Sequence, residues 1–260
     1  MTEPAAPGLE LLRETPAAST IPLYELPRWR ARHGVVGGIT GRGGGPEPGF
    51  DLGLWSAAPV GQVMTRWRTF RRSIPGFDAV VLGNQVHGTT VETAGAGRGW
   101  IQADGVDGWV TTRAGVLLTI TVADCIPVYL VVPGRGVSLL HAGWRGTAGG
   151  ILEVGLERLL TVTGAEPGDV LMHCGVGICG GCYEVGGEVV TACGEAAEGP
   201  GPWHLDLRER LARSARALGV GGVTVSGWCS AHDRPSFYSH RASGGVDGRM
   251  VAYLGMPRSD

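Results

Sequence analysis

From Gly105 to Gly143 the chain runs as apolar segments punctuated by turn residues, "GVDGWVTTRAGVLLTITVADCIPVYLVVPGRGVSLLHAG". Val, Ile, Leu and Thr dominate, and short apolar runs between turn residues predict strands buried on both faces. "VPGRG" reads as a turn joining two of them. Residues 121 to 147 therefore form an expected hairpin, with Cys125 and His141 at opposite ends. Upstream, "HGVVGGITGRGGGPEPG" predicts a short strand running into a Gly/Pro loop. "MTRWRTFRRSIPG", 64 to 76, predicts a short basic amphipathic helix. "FDAVVLGNQVHGTTVETAG" predicts two strand segments meeting near Gln85 and His87.

Downstream the period changes. Ile151, Val154, Leu156, Leu159 and Leu160 follow helical spacing over 146 to 164, ended by Gly164. Residues 169 to 190 predict a buried strand, a glycine loop and a short helix. An amphipathic helix follows over 204 to 222, with Leu207, Leu211 and Leu218 on its apolar side. "VTVSGWCS" predicts a strand and "SFYSHRASGGVDGRMVAYLG" a closing strand pair. Residues 1 to 20, rich in Pro, Ala and Thr, are expected to be a flexible tail in which "LELL" alone has something to dock. Strands clustered in the middle with helices between them imply an α/β fold, mixed and α+β-like: one layered domain over 21 to 260, mixed sheets covered by helices.

Composition narrows the function. The 260 residues carry a net charge of -2 with no Arg-rich block, so no nucleic-acid partner is expected. The longest apolar stretch, 116 to 132, is broken by Asp124 and Pro127, so no membrane span is expected. Lysine is absent, which excludes lysine Schiff-base chemistry and a Walker A lysine. An anion would be held by Arg, by backbone N–H groups or by a metal. The N-terminus has no basic start and no apolar signal core, so the six cysteines are expected to be reduced cytoplasmic thiols. The oligomeric state stays open, with a monomer favoured.

Three groups of residues carry candidate chemistry. His87, Cys125 and His141 each sit at a strand end beside glycine or a turn, where loops converge over a rigid sheet. Two imidazoles and a thiolate suit zinc and leave a fourth position open; a buried thiol with two satisfied histidines is the plainer alternative. Arg42 in "ITGRGGG" is placed to fold over an anion, or to be a solvated loop residue. Arg145 in "GWRG" could pair with Asp124. Tyr183 and Glu184 could orient a ligand or cap the following helix. Cys174, Cys179 and Cys182, spaced C-x4-C-x2-C, match one end of a plant-type iron–sulfur motif, with Cys193 or Cys229 available as a fourth ligand. The preferred reading is a glycine loop that contacts substrate through backbone N–H groups.

The ordered series "TGRGGG", "DLGLW", "NQVHG", "ADGVDGWVT", "TVADCIPVYLV", "HAGWRGT", "GVGICGGCYEVG", "WHLDL", "SGWC" and "FYSHRASGGVDGRM" resembles the laccase-domain, or purine nucleoside phosphorylase-like, family, also called the polyphenol oxidase or peptidoglycan editing factor family. The resemblance covers roughly 33 to 255. It implies a layered α/β domain similar to the cytotoxic necrotizing factor catalytic domain. It implies zinc on His87, Cys125 and His141, and phosphate or substrate on Arg42. Gln85, Asp124, Arg145 and Tyr183 are carried as substrate contacts. The implied activities are phosphorolysis of adenosine, inosine, guanosine and methylthioadenosine, and hydrolytic deamination of adenosine. Asp51 stands where the family's usual motif has Asn.

Four rivals stand beside this reading. Copper polyphenol oxidation ranks below zinc, because seven histidines without a His-x-His pair fall short of a multicopper site. A thiol hydrolase would use Cys125 as nucleophile and His141 as base, and a peptidoglycan-precursor editing enzyme would occupy the same site. A structural metal would need a fourth ligand, from His173, Cys174 or Cys229.

Overall fold

The computed structural model describes residues 9–43, 49–54, 56 and 58–258. Residues 1–8 of the expected tail and 44–48 of the Arg42 loop lie outside the described residues. The chain opens with β1 (Glu10–Leu11), β2 (Thr15–Pro16), β3 (Leu23–Glu25), α1 (Trp29–His33), β4 (Val36–Thr40) and α2 (Val60–Ser73). Seven strands follow: β5 (Ala79–Asn84), β6 (Val91–Thr93), β7 (Gly99–Asp104), β8 (Gly108–Thr111), β9 (Val116–Val122), β10 (Ile126–Val132) and β11 (Gly136–Ala142). Then come α3 (Trp144–Ala148), α4 (Ile151–Thr163), β12 (Leu171–Cys174), β13 (Glu184–Val185), α5 (Gly187–Ala192), β14 (Trp203–His204), α6 (Leu207–Ala217), β15 (Gly222–Val225) and β16 (Met250–Gly255).

Two mixed seven-stranded sheets pack face to face. One runs β1-β15-β12-β10-β11-β8-β6, the other β2-β3-β4-β16-β9-β5-β7. Strand alternation explains the unbroken apolar runs. In β10, Tyr129 and Val131 enter the core between the sheets, while Ile126, Val128, Leu130 and Val132 face α4, α5 and α6. In β16, Ala252 and Leu254 face the inter-sheet core, while Val251 and Tyr253 pack on Val63, Trp67 and Phe70 of α2. Every central strand is covered on both sides, giving four layers: helices, sheet, sheet, helix.

Several expectations need correction. Residues 9 to 20 are not a loose tail. β1 pairs parallel with β15, β2 pairs with β3, and Glu14 is buried against His173 and Ser226. The helix expected from 64 begins at Val60, with Pro59 in the N-cap position. The 146 to 164 helix is two helices, broken where Gly150 adopts φ 86°. Leu218 does not share α6's buried stripe. It is the C-cap and exposed, and Ala212 and Ala215 complete the stripe instead. The closing strand pair is one strand, β16. Before it, the backbone N–H groups of Ser239 and Arg241 donate to the Asp247 and Asp124 carboxylates rather than to a ladder.

Candidate metal centre

Three times the chain passes from the α2-side sheet to the other: β5 to β6, β7 to β8, and β9 to β10. The first crossing carries His87, the second Asp107, the third Asp124 and Cys125. β11 brings His141 alongside, opposite Pro127 of β10, with the His141 N–H donating to the Asp107 carbonyl at 2.7 Å. Two crossings turn on left-handed residues, His87 at φ 61° and Asp124 at φ 86°. His and Asp tolerate that region better than most residues. The ligand atoms of His87, Cys125 and His141 lie within 4.8 Å of one another. Gly143 closes the wall: a Cβ there would stand 3.0 Å from Cys125 Sγ and 3.2 Å from His87 Cδ2.

Asp107, fully buried, organises the centre and was not singled out from sequence. Its Oδ1 accepts from the His87 N–H at 3.0 Å and meets His141 Nδ1 at 2.9 Å. Its Oδ2 accepts from the N–H groups of Val86 at 3.1 Å and Gly88 at 2.8 Å. The carboxylate thus holds the His87 loop and places a proton on His141 Nδ1, leaving Nε2 as the donor for a metal. Burial alone would raise the Asp107 carboxyl, but His141 and the backbone donors outweigh it and hold it below its usual value. The signal available in the sequence was one acid inside the otherwise apolar "GVDGWV".

Burial pushes the Cys125 thiol up. The His141 imidazole, and then His87, outweigh that and bring it down to about 6. Burial opposes charge on His141 too, but the Cys125 thiolate and Asp107 lift it to about 9. Cys125 and His141 would offer a metal cation a preformed thiolate and an imidazole that must give up a proton to bind it. Three donors converge, and none of the candidate fourth ligands joins them. His173 is bound by Glu14 and Thr224, Cys174 contacts the Arg208 carbonyl, and Cys229 belongs to another group.

The remaining sequence candidates divide. Tyr183 is close enough for the Cys125 charge to act on it; burial first, and then that thiolate, push its phenol up to about 12. The Arg241 guanidinium lies 5.1 Å from the centre of its ring. Gln85 is turned to the backbone of β9. Its amide is spent on Thr121, accepting from the N–H at 2.8 Å and donating to the carbonyl at 2.9 Å. Asp124 is likewise occupied, accepting from Ser230 Oγ and the Arg241 N–H, each at 2.6 Å. Arg145 does not pair with it; its guanidinium stacks 4.4 Å over Trp144. Arg42 meets Asp247 at 3.0 Å and lies 5.0 Å over the Tyr238 ring. Asp51 is buried and accepts from Gly53, Ser56 and Arg249, so it ties loops together. A cavity of about 400 Å³, lined by Ala17, Ser19, Thr69 and Arg72 among others, includes none of these residues.

Among known proteins, the profile of the family described as multi-copper polyphenol oxidoreductase laccase matches residues 32–257. A purine nucleoside phosphorylase of Deinococcus radiodurans is 38% identical over 252 residues, 94% of this chain and 96% of that protein. A protein named adenosine deaminase RL5, from an unknown prokaryotic organism, is 35% identical over 56% of this chain and 60% of its own length. The crystal structure of YlmD from Geobacillus stearothermophilus superposes with a TM-score of 0.82 at 31% identity, covering 95% of this chain and 100% of that one.

Proposed function

We propose that this chain, which belongs to the family described as multi-copper polyphenol oxidoreductase laccase, is a zinc-dependent purine nucleoside enzyme. Its reactions are phosphorolysis of adenosine, inosine, guanosine and methylthioadenosine, and hydrolytic deamination of adenosine. Two relatives carry the names of those two activities. The observation that carries the reading is the open three-donor set of His87, Cys125 and His141 with Asp107 fixing the His141 tautomer. Zinc bound by such a set supplies a Lewis acid and lowers the pKa of water in its open position.

The protein's own residues supply the rest. Tyr183, a phenol that stays protonated at pH 7 and that burial shifts further up, presents an O–H donor to the purine. Arg241, against its ring and bonded to the Glu184 carbonyl, keeps it in place. Asp124, fixed by Ser230 and Arg241, holds the turn that aims Cys125. Arg145, exposed two residues beyond Gly143, is the cation we assign to incoming phosphate. Arg42 would recognise phosphate only in competition with Asp247. None of the six cysteines is in a disulfide, which suits a reducing cytoplasmic setting. No described helix is long and apolar enough to cross a membrane.

A multicopper centre does not fit. It needs histidine pairs in His-x-His spacing, and the seven histidines here form none. A thiol-hydrolase reading has one observation in its favour, the order Asp107–His141–Cys125, which resembles an orienting acid, a base and a nucleophile. Alkylation separates the two. Iodoacetamide should leave Cys125 of the zinc-loaded protein intact and modify it after chelation; fast modification of the loaded protein favours the hydrolase. The direct test incubates zinc-loaded protein with adenosine, with and without phosphate, and follows adenine, inosine and ammonia. Failure to convert any purine nucleoside overturns the proposal.

A further inference from the structure

A second group of metal-binding side chains lies outside this centre. Cys179, Cys182, Cys229 and His232 bring three sulfurs and one imidazole nitrogen within 4.8 Å of one another. They come from two loops: the turn after β12, and the turn after β15. Tetrahedral zinc with S at ~2.3 Å and N at ~2.05 Å has an S···N edge of about 3.6 Å. His232 Nδ1 stands 3.4 Å from Cys182 Sγ and 3.8 Å from Cys179 Sγ, on either side of that value. The surroundings are those of a ligand set. His232 Nε2 faces the Asp233 carboxylate at 3.6 Å, which turns Nδ1 toward the sulfurs. The Cys179 N–H donates to Cys229 Sγ at 3.3 Å, and the Cys182 N–H closes a tight turn on the Cys179 carbonyl at 3.1 Å. That turn lets a Cys-x2-Cys pair direct both sulfurs to one point.

The iron–sulfur spacing does not survive. Cys174 contacts the Arg208 carbonyl and Cys193 contacts the Trp144 carbonyl, so neither joins the group. Four donors within 4.8 Å of one another leave room for one ion rather than a cluster.

We propose that Cys179, Cys182, Cys229 and His232 form a second, structural zinc site that clamps the 177–183 loop to the 229–233 turn. Four protein ligands close the coordination sphere, so this ion takes no substrate. Its place in the fold gives it a purpose. The Ile178 N–H, one residue from Cys179, donates to the Asp124 carbonyl at 2.9 Å. Ser230 Oγ, one residue from Cys229, donates to Asp124 Oδ1 at 2.6 Å. Both clamped loops therefore grip the left-handed residue that precedes Cys125.

The test uses the full chain purified under reducing conditions, loaded with zinc and desalted, with metal counted by elemental analysis and native mass spectrometry. Wild type should hold two zinc ions per chain. Cys182→Ser and His232→Ala, at the more exposed positions, should each hold one, and His87→Ala should also hold one. With cobalt, His87→Ala should keep the stronger sulfur-to-cobalt charge-transfer band, from three thiolates, and Cys182→Ser the weaker band, from one. One zinc in wild type whose six thiols all titrate after metal removal overturns the proposal. So does unchanged stoichiometry in both second-site variants. Because the count is independent of turnover, it stands or falls apart from the purine nucleoside reading.

Discussion

Asp107→Asn changes one atom type and almost no volume, yet it should disable the centre without touching a ligand. Each carboxylate oxygen accepts two hydrogen bonds: His87 N–H and His141 Nδ1 on one, Val86 and Gly88 N–H on the other. An amide must turn its NH2 toward one of those donor pairs. If it faces Val86 and Gly88, the His87 loop keeps only the His87 N–H bond of its three. If it faces His141, Nδ1 becomes the acceptor and the ring proton moves to Nε2, which then cannot bind a metal. Either way two hydrogen bonds to a charged group are lost, at about 1.5–3 kcal/mol each. Because residues 86 and 87 are exposed and can relax, the lower total, about 3 kcal/mol, is the expected loss of apo stability. Losing an orienting carboxylate typically costs 10–100-fold in metal affinity, or about 1.4–2.7 kcal/mol. Zinc affinity is measured by competition with a chromophoric chelator in the Cys182→Ser background, and stability by thermal unfolding in EDTA. Wild-type affinity together with an unchanged melting temperature would refute the role assigned to Asp107.

Gly143→Ala places a methyl group 3.0 Å from Cys125 Sγ and 3.2 Å from His87 Cδ2. It should weaken zinc binding while leaving far-UV circular dichroism unchanged; normal zinc affinity would show that the wall yields. Asp206 caps α6 through the N–H groups of Arg208 and Glu209 and also accepts from the Gly180 N–H. Asp206→Ala should cost about 1–2 kcal/mol, seen as a melting temperature roughly 3–6 °C lower. Burial raises the Asp206 carboxyl, but Arg208 and the backbone donors outweigh it and hold it below its usual value. A depressed folded pKa adds stability above the unfolded value of ~3.9, and that stability is lost as pH falls through the folded one. The wild-type advantage over Asp206→Ala should accordingly shrink in melts below about pH 4, and an advantage that persists there would contradict the assignment.

The strands were legible because they are buried on both faces, and the residues of "VLLTITVADCIPVYLVV" fall where their apolar runs placed them. What no run of apolar residues encodes is that β9 and β10 lie in different sheets, so Asp124 marks a crossing between sheets rather than a break within one. His87, Cys125 and His141 were visible as chemistry at strand ends. Asp107 was not, because its partners are backbone N–H groups some twenty residues upstream and a histidine thirty-four residues downstream. Gln85 and Asp124, expected as substrate contacts, are bonded to Thr121 and to Ser230 and Arg241, as polar side chains beside a site often are to the structure that builds it. His232 carried no signal of its own beside Asp233. Only folding brings it to Cys179 and Cys182, fifty or more positions earlier in the chain.

The central claim is that the His87–Cys125–His141 centre performs purine nucleoside chemistry, and metal reconstitution tests it most directly. Zinc is titrated into metal-free protein while adenosine conversion is followed, in wild type and in Cys125→Ala. Conversion should rise with occupancy of this centre in wild type and be absent in the variant, which keeps its fold and the second zinc. Full conversion by metal-free protein, or by Cys125→Ala, would contradict the account.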